Sequence, residues 1–199
     1  MTHIILSAVV VSSIALVAAL VLSMIQPTVS IWPAPQKNER AWRVRLIGHR
    51  VIGVLVALTG VVTLVLALLD SGSLNLLATL RWLIGPLLLG FGAVLGLWGY
   101  FQLGVEVSQG ALGALEVSGP YRYSRNPQYV GAIGVLFGFA LLCASKLGLL
   151  AAAASSIWFV TAPFAEEPWL RRHLGARYDE YARSSPRYLG FPRRSRGSA

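Results

Sequence analysis

Between residues 51 and 69 the chain reads VIGVLVALTGVVTLVLALL, an apolar run without a single Asp, Glu, Lys or Arg. A run of that length and composition fits a helix crossing the hydrocarbon of a bilayer. Reading outward from it, four more apolar stretches stand at 3–25, 82–103, 127–144 and 147–165. Even the stretch at 127–144 would be about 27 Å long as a helix, close to the hydrocarbon thickness. Composition agrees. Of 199 residues, 55% are hydrophobic and 13% charged, with a mean hydropathy of +0.63. A soluble domain carries about 25% charged residues. The expected fold is therefore all-α: a polytopic membrane protein with five transmembrane helices. The last two form a C-terminal hairpin, followed by a cytoplasmic amphipathic helix.

The stretch at 3–25 competes with a signal peptide. No Lys or Arg precedes it, and its apolar part exceeds the usual 7–15-residue core of such a peptide, so a retained helix is expected.

Orientation follows from the basic residues. Lys37, Arg40, Arg43, Arg45 and Arg50 lie between the first two spans, and Arg122 and Arg125 between the third and fourth. Arg171, Arg172, Arg177, Arg183, Arg187, Arg193, Arg194 and Arg196 follow the fifth, leaving only Arg81 and Lys146 for the other side. Such asymmetry places the N-terminus outside and the C-terminus in the cytoplasm, and an even number of spans would destroy it. A bacterial cytoplasmic membrane is the expected location. The net charge of +9 is then a topology and headgroup signal, and nucleic-acid binding is not expected.

Small residues recur at helical spacing, Gly92, Gly96 and Gly99 in the third span and Gly131, Gly134 and Gly138 in the fourth, which lets helix backbones approach closely in lipid. The one cysteine, Cys143, excludes an intrachain disulfide and a multi-cysteine metal site, and no metal is expected. There is no internal repeat. Three regions are expected: transmembrane helices at 1–102, a region at 103–192 with the last two spans and the amphipathic helix, and a disordered basic tail at 193–199.

Chemistry concentrates in the second region. Gly119-Pro120-Tyr121-Arg122-Tyr123-Ser124-Arg125-Asn126-Pro127-Gln128-Tyr129-Val130-Gly131 opens the fourth span. Asn126 suits a helix cap and Pro127 a first turn. On structure alone, the tyrosines would belong to the interfacial aromatic belt and the arginines to the cytoplasmic charge bias. The fifth span, however, ends in Ala165-Glu166-Glu167-Pro168-Trp169-Leu170. Topology does not account for adjacent carboxylates, because acidic residues hardly influence it. Glu166 and Glu167 fall at the same level as Arg122, Arg125 and Glu106, where partial desolvation strengthens ionic interactions. The sequence alone also allows plain Arg–Glu pairing that ties the hairpin together. After Pro168, apolar residues at Trp169, Leu170, Leu174, Tyr178 and Tyr181 give an amphipathic helix, either a surface anchor or a lid over a pocket.

Together these clusters resemble the C-terminal signature of the isoprenylcysteine carboxyl methyltransferase and phospholipid methyltransferase superfamily. Its elements are Gly-Pro-Tyr-Arg, Arg-His-Pro-x-Tyr-x-Gly, Glu-Glu-x-x-Leu and Phe-Gly-x-x-Tyr-x-x-Tyr…Arg. The matching residues are Gly119 to Arg122, Arg125, Pro127, Tyr129, Gly131, Glu166, Glu167, Leu170, Gly175, Tyr178, Tyr181 and Arg187. Asn126 replaces the family's usual His, and Val107-Ser108 stands where prenylcysteine enzymes often have Thr-His. The paired Gly-x-Gly element of phosphatidylethanolamine methyltransferases is absent.

The resemblance implies an S-adenosylmethionine-dependent methyltransferase acting on a lipophilic, lipid or lipidated substrate drawn from the membrane. It implies Glu167, then Glu166, as partner of the cofactor amine, and Arg125 or Asn126 for its carboxylate. Tyr121, Tyr129 and Gly119 complete the implied cofactor site, and Arg122 and Arg125 are the implied catalytic pair, able to hold an anionic substrate group. Two other readings remain open on sequence: a sterol-reductase-like enzyme using NADPH, and a non-catalytic membrane scaffold. The oligomeric state is not legible.

Overall fold

A computed structural model describes residues 1–26, 42–108 and 113–193; Lys37, Arg40, Arg194 and Arg196 lie outside the described residues, as does nearly all of the tail expected at 193–199. Among the described residues the chain is helical throughout, without a strand. The helices are α1 (Thr2–Ile25), α2 (Trp42–Leu69), α3 (Gly85–Leu103), α4 (Val105–Ser108), α5 (Pro127–Cys143), α6 (Lys146–Leu174) and α7 (Ala176–Ser184). A π-helical turn, Leu80–Ile84, leads into α3, and a 3₁₀ turn, Gly119–Arg122, precedes α5.

Four of these segments, α1, α2, Leu80–Leu103 and α6, are long and apolar enough to cross a membrane. Their outward faces carry bare Val, Leu, Ile and Phe side chains, as lipid contact requires. The helix at Pro127–Cys143 is shorter, 17 residues or about 26 Å.

α3 and α5 make the closest contact in the molecule, and glycine is the reason. A Cβ on Gly131 would lie 2.5 Å from Gly96 Cα, and one on Gly138 would lie 2.3 Å from Leu89 N. No side chain fits there, so the two backbones touch. α1, α2 and α6 pack differently. Leu16, Leu20 and Ile52 close around Trp158, Ala162 and Ala165. Buried hydroxyls join the same helices, with Thr63 Oγ1 and Ser155 Oγ at 2.9 Å and Ser12 Oγ and Thr59 Oγ1 at 3.2 Å. In a bundle that gains nothing hydrophobic from helix contact in lipid, such polar pairs fix the register.

The two ends differ in charge. At one end Asp70 accepts hydrogen bonds from Ser73 Oγ at 2.6 Å, Ser145 Oγ at 2.8 Å and Leu147 N at 2.9 Å, which caps α6. Arg81 Nε donates there to Leu142 O at 3.1 Å. Arg81 and Lys146, the two basic residues expected apart from the rest, thus share this end. Arg122, Arg125 and Arg187 sit with the 3₁₀ turn and α7 at the other.

Two boundaries differ from expectation. The fifth apolar helix does not stop near residue 165. α6 runs on through Pro163 and Pro168 to Leu174, and the chain breaks at Gly175, where φ is +57°. Each proline removes one intrahelical bond, but only glycine takes a positive φ without strain. The expected amphipathic helix is accordingly divided. Trp169, Leu170 and Leu174 extend α6, while Tyr178 and Tyr181 belong to α7 and pack inward on Tyr121 rather than into a membrane surface.

Candidate functional site

The site forms where the 3₁₀ turn, the start of α5, the end of α6 and α7 meet. Tyr121, Tyr178 and Tyr181 make its buried aromatic wall, with Leu103, Leu115, Leu170 and Leu174 against them. Tyr181 Oη donates to Tyr121 O at 2.9 Å, tying α7 to the turn, and Tyr121 Oη donates to Gly99 O at 3.1 Å, tying the turn to α3. Burial pushes the Tyr121 phenol up to about 12 and raises Tyr178 and Tyr181 as well, so all three remain protonated at neutral pH. Gln128 Nε2 extends the network, donating to Ser108 Oγ at 2.9 Å and to Tyr121 Oη at 3.2 Å.

Beside this wall lies an ionic cluster. Glu167 is buried, and its carboxylate takes Arg187 Nε on Oε1 at 2.7 Å, Arg187 Nη2 on Oε2 at 2.9 Å and Arg125 Nη2 on Oε1 at 2.9 Å. Arg171 adds a looser contact at 3.7 Å. Two-pronged binding of this kind is the strong form of the Arg–carboxylate bond. The hydrogen bond to Glu167 raises Arg187 further above its ordinary value. Arg125 is held in place as well: Nη1 donates to Ala182 O at 2.8 Å and its backbone N to Pro186 O at 2.9 Å. Its Nε is buried without a hydrogen-bond partner among the described residues. Glu166, half-buried on the next position of α6, accepts a hydrogen bond from the Tyr129 hydroxyl.

One cavity collects these groups. Tyr121, Arg125, Asn126, Tyr129, Glu166 and Glu167 all line it, together with Trp169 and Tyr178. Six of the residues marked from sequence therefore converge. Two do not line it. Gly119 takes φ +54° against the Trp98 ring and shapes the turn. Arg122 is exposed and lines a separate groove with Arg177. Asn126 stands at the cap position of α5, but its side chain makes no cap bond; Nδ2 donates instead to Arg187 O at 2.9 Å. Glu106 falls in α4, with its side chain outside the described residues.

Sequence reasoning gave no role in this site to Gln128 or Arg187, and marked Trp169 only as part of the amphipathic helix. Gln128 carried no signal apart from its neighbours, whereas Arg187 stood in the matched signature and could have been paired with a carboxylate. No group of His, Cys, Asp or Glu able to hold a metal ion occurs among the described residues.

Residues 80–177 match the family model of phospholipid methyltransferases. No curated protein and no solved structure matches the chain. The matched segment runs from the π turn before α3 into α7, so it takes in Tyr121, Arg125, Asn126, Tyr129, Glu166 and Glu167. Residues 80–177, just under half of the chain, form a phospholipid methyltransferase domain, of the integral membrane methyltransferase superfamily.

Proposed function

We propose that the protein transfers a methyl group from S-adenosylmethionine to a lipophilic acceptor at the cytoplasmic surface of a membrane. The observation that carries this reading is one cavity uniting a carboxylate pair, a buried guanidinium and an aromatic wall, with Tyr121, Arg125, Glu166 and Glu167 inside the segment that matches a methyltransferase family and Tyr178 and Tyr181 just beyond it. The residues suit the cofactor's chemistry. Glu166 offers a carboxylate for an ammonium group, Arg125 keeps one buried donor unused for a carboxylate, and the tyrosines and Trp169 offer flat surfaces for an adenine. When bound, the cofactor supplies a methyl group activated by a sulfonium charge.

The chain's own part is alignment and exclusion of water. Glu167, already engaged by Arg125 and Arg187, fixes the guanidiniums, while Glu166 is the better placed of the two for a ligand amine. Residues 103–192 form the cofactor-holding region, and α1 to α3 frame it in the bilayer. α5 serves as a fifth span beside the four longer ones, which puts Arg122, Arg125, Arg187 and α7 in the cytoplasm. In such an arrangement the acceptor arrives from lipid and the cofactor from water.

Binding of S-adenosylhomocysteine to the purified protein tests the reading. Saturable binding, with none for NADPH, supports it; NADPH binding alone would favour the reductase reading. A scaffold would bind neither.

A further inference from the structure

Gln128 lines the cavity from the first turn of α5, half-buried against the ends of α3 and α4. Its amide carries two N–H donors and one carbonyl acceptor, and the surrounding hydroxyls decide which way round it sits. The Tyr121 hydroxyl has a single proton and donates it to Gly99 O at 3.1 Å, so towards Gln128 it can only accept. Ser108 is in the same position, because its Oγ donates to Tyr100 O at 3.2 Å. Gln128 Nε2 meets both demands, donating to Ser108 Oγ at 2.9 Å and to Tyr121 Oη at 3.2 Å. A third acceptor, Gly99 O, lies 3.4 Å from the same nitrogen.

Both amide protons are thus committed to α4 and the 3₁₀ turn. Turning the amide over would set its carbonyl oxygen against Gly99 O and leave two hydroxyl oxygens without their donor. Oε1 itself has no hydrogen-bond donor among the described residues. The carboxylates that line the cavity differ, since each already accepts a bond: Glu116 from Ser118 Oγ, Glu166 from Tyr129 Oη and Glu167 from Arg125 Nη2. Gln128 Oε1 is an uncharged acceptor of fixed direction, and such a group reads a neutral N–H or O–H.

Position selects among the donors of the proposed cofactor. Gln128 is bonded to the hydroxyl edge of Tyr121, so its amide stands at the margin of the aromatic wall. Asn126, two residues earlier, gives its amide to Arg187 O beside the ionic cluster instead. A base stacked on the wall presents its edge at that margin, and amide side chains pair with adenine through its exocyclic amine. We infer that Gln128 reads the adenine of S-adenosylmethionine, its Oε1 accepting from the exocyclic amino group, and so sets the specificity of the site for that base. The inference rests on the proposed methyl transfer from this cofactor. With both of its protons spent, Gln128 accepts an amine and repels a carbonyl oxygen in the same place.

The test pairs two ligands with two proteins. S-inosylhomocysteine carries a carbonyl oxygen where S-adenosylhomocysteine has the exocyclic amine, with a proton on the neighbouring ring nitrogen. In calorimetric titration of the detergent-solubilised parent, the inosyl compound should bind about tenfold or more weakly. Gln128→Met keeps the length of the side chain without the acceptor, and should bind the two ligands about equally. A side chain that only braced Tyr121 and Ser108 would, on removal, weaken both ligands alike and preserve the parent's ratio. A preserved ratio in Gln128→Met, or equal binding of the two ligands by the parent, therefore overturns the inference. The parent measurement decides alone should the variant fail to fold. Equal binding by the parent leaves the methyl-transfer proposal intact, because S-adenosylhomocysteine still binds; no binding of S-adenosylhomocysteine removes that proposal and this inference with it.

Discussion

Arg187 reaches back from the C-terminal strap to clasp both carboxylate oxygens of Glu167, at 2.7 and 2.9 Å, and so closes the end of the chain onto α6. Glu167 also holds Arg125, whose remaining bonds reach the end of α7 and the strap. One buried carboxylate thus joins three elements of the site.

Glu167→Gln should therefore damage the fold as well as the site. The amide accepts weakly and leaves Arg125 and Arg187 without a counter-charge. Breaking a buried pair from one side typically costs about 3–5 kcal/mol, and Arg187's partial exposure puts the expected loss at the lower end of that range. Thermal unfolding in detergent checks it. An unchanged midpoint would mean that the cluster contributes nothing to stability.

The glycine contact between α3 and α5 gives a second expectation. Gly131→Ala and Gly138→Ala put a methyl against backbone that has no room to yield, so each should cost about 1–3 kcal/mol or more. Gly90→Ala, on the same helix α3 but with nothing within 4 Å of the new methyl, should be neutral or slightly stabilising. Comparing the three unfolding midpoints separates close packing from glycine content.

Much of this was readable in advance. Apolar runs marked the membrane helices because lipid allows no polar interruption, and the small-residue spacing at Gly92, Gly96, Gly131, Gly134 and Gly138 marked the α3–α5 contact. Six of the eight marked site residues share a cavity. The misplacements have physical causes. The fifth span is expected to end near residue 165, where its apolar run meets Glu166 and Glu167, yet the actual break falls at Gly175, whose positive φ depends on the tertiary path of α7. The periodicity of Tyr178 and Tyr181 gave an apolar face but could not say whether lipid or protein covers it. Arg122 and Arg125 are indistinguishable by composition; only the 3₁₀ turn sends one outward and the other beneath α7.

At the opposite end, Asp70 caps α6 and carries a pH signature. Burial works to raise its carboxyl, but the bonds from Ser73, Leu147 and Ser145 outweigh that and hold it below its usual range. A carboxyl depressed by folding contributes stability that is complete above its unfolded value, about 3.9, and is lost as pH falls through the lower folded value. Asp70→Asn keeps an acceptor but loses the charge, so it should destabilise at neutral pH by less than the roughly 1 kcal/mol of a lost helix cap, and the difference from the parent should shrink below about pH 4. Melting curves of the two proteins at pH 7 and pH 3 read this directly; a gap that persists in acid would contradict it.

Topology is testable in cells. With five spans and a cytoplasmic tail, a reporter fused after Tyr188 should be active only where it requires the cytoplasm, and one fused ahead of Thr2 only outside. A tail reporter active outside would mean that α5 does not cross the membrane or that the orientation is reversed.

On the proposed function, the cavity beneath α7 holds S-adenosylmethionine with Glu166 on its amine. Calorimetric titration of S-adenosylhomocysteine into the detergent-solubilised parent and into Glu166→Gln tests it most directly. The parent should bind saturably at one site per chain. Glu166→Gln should bind at least about tenfold more weakly while unfolding at nearly the parent temperature, since losing one side of a partly buried charge pair in a complex costs about 2 kcal/mol or more. No binding by the parent, or equal affinity in both proteins, would contradict the account.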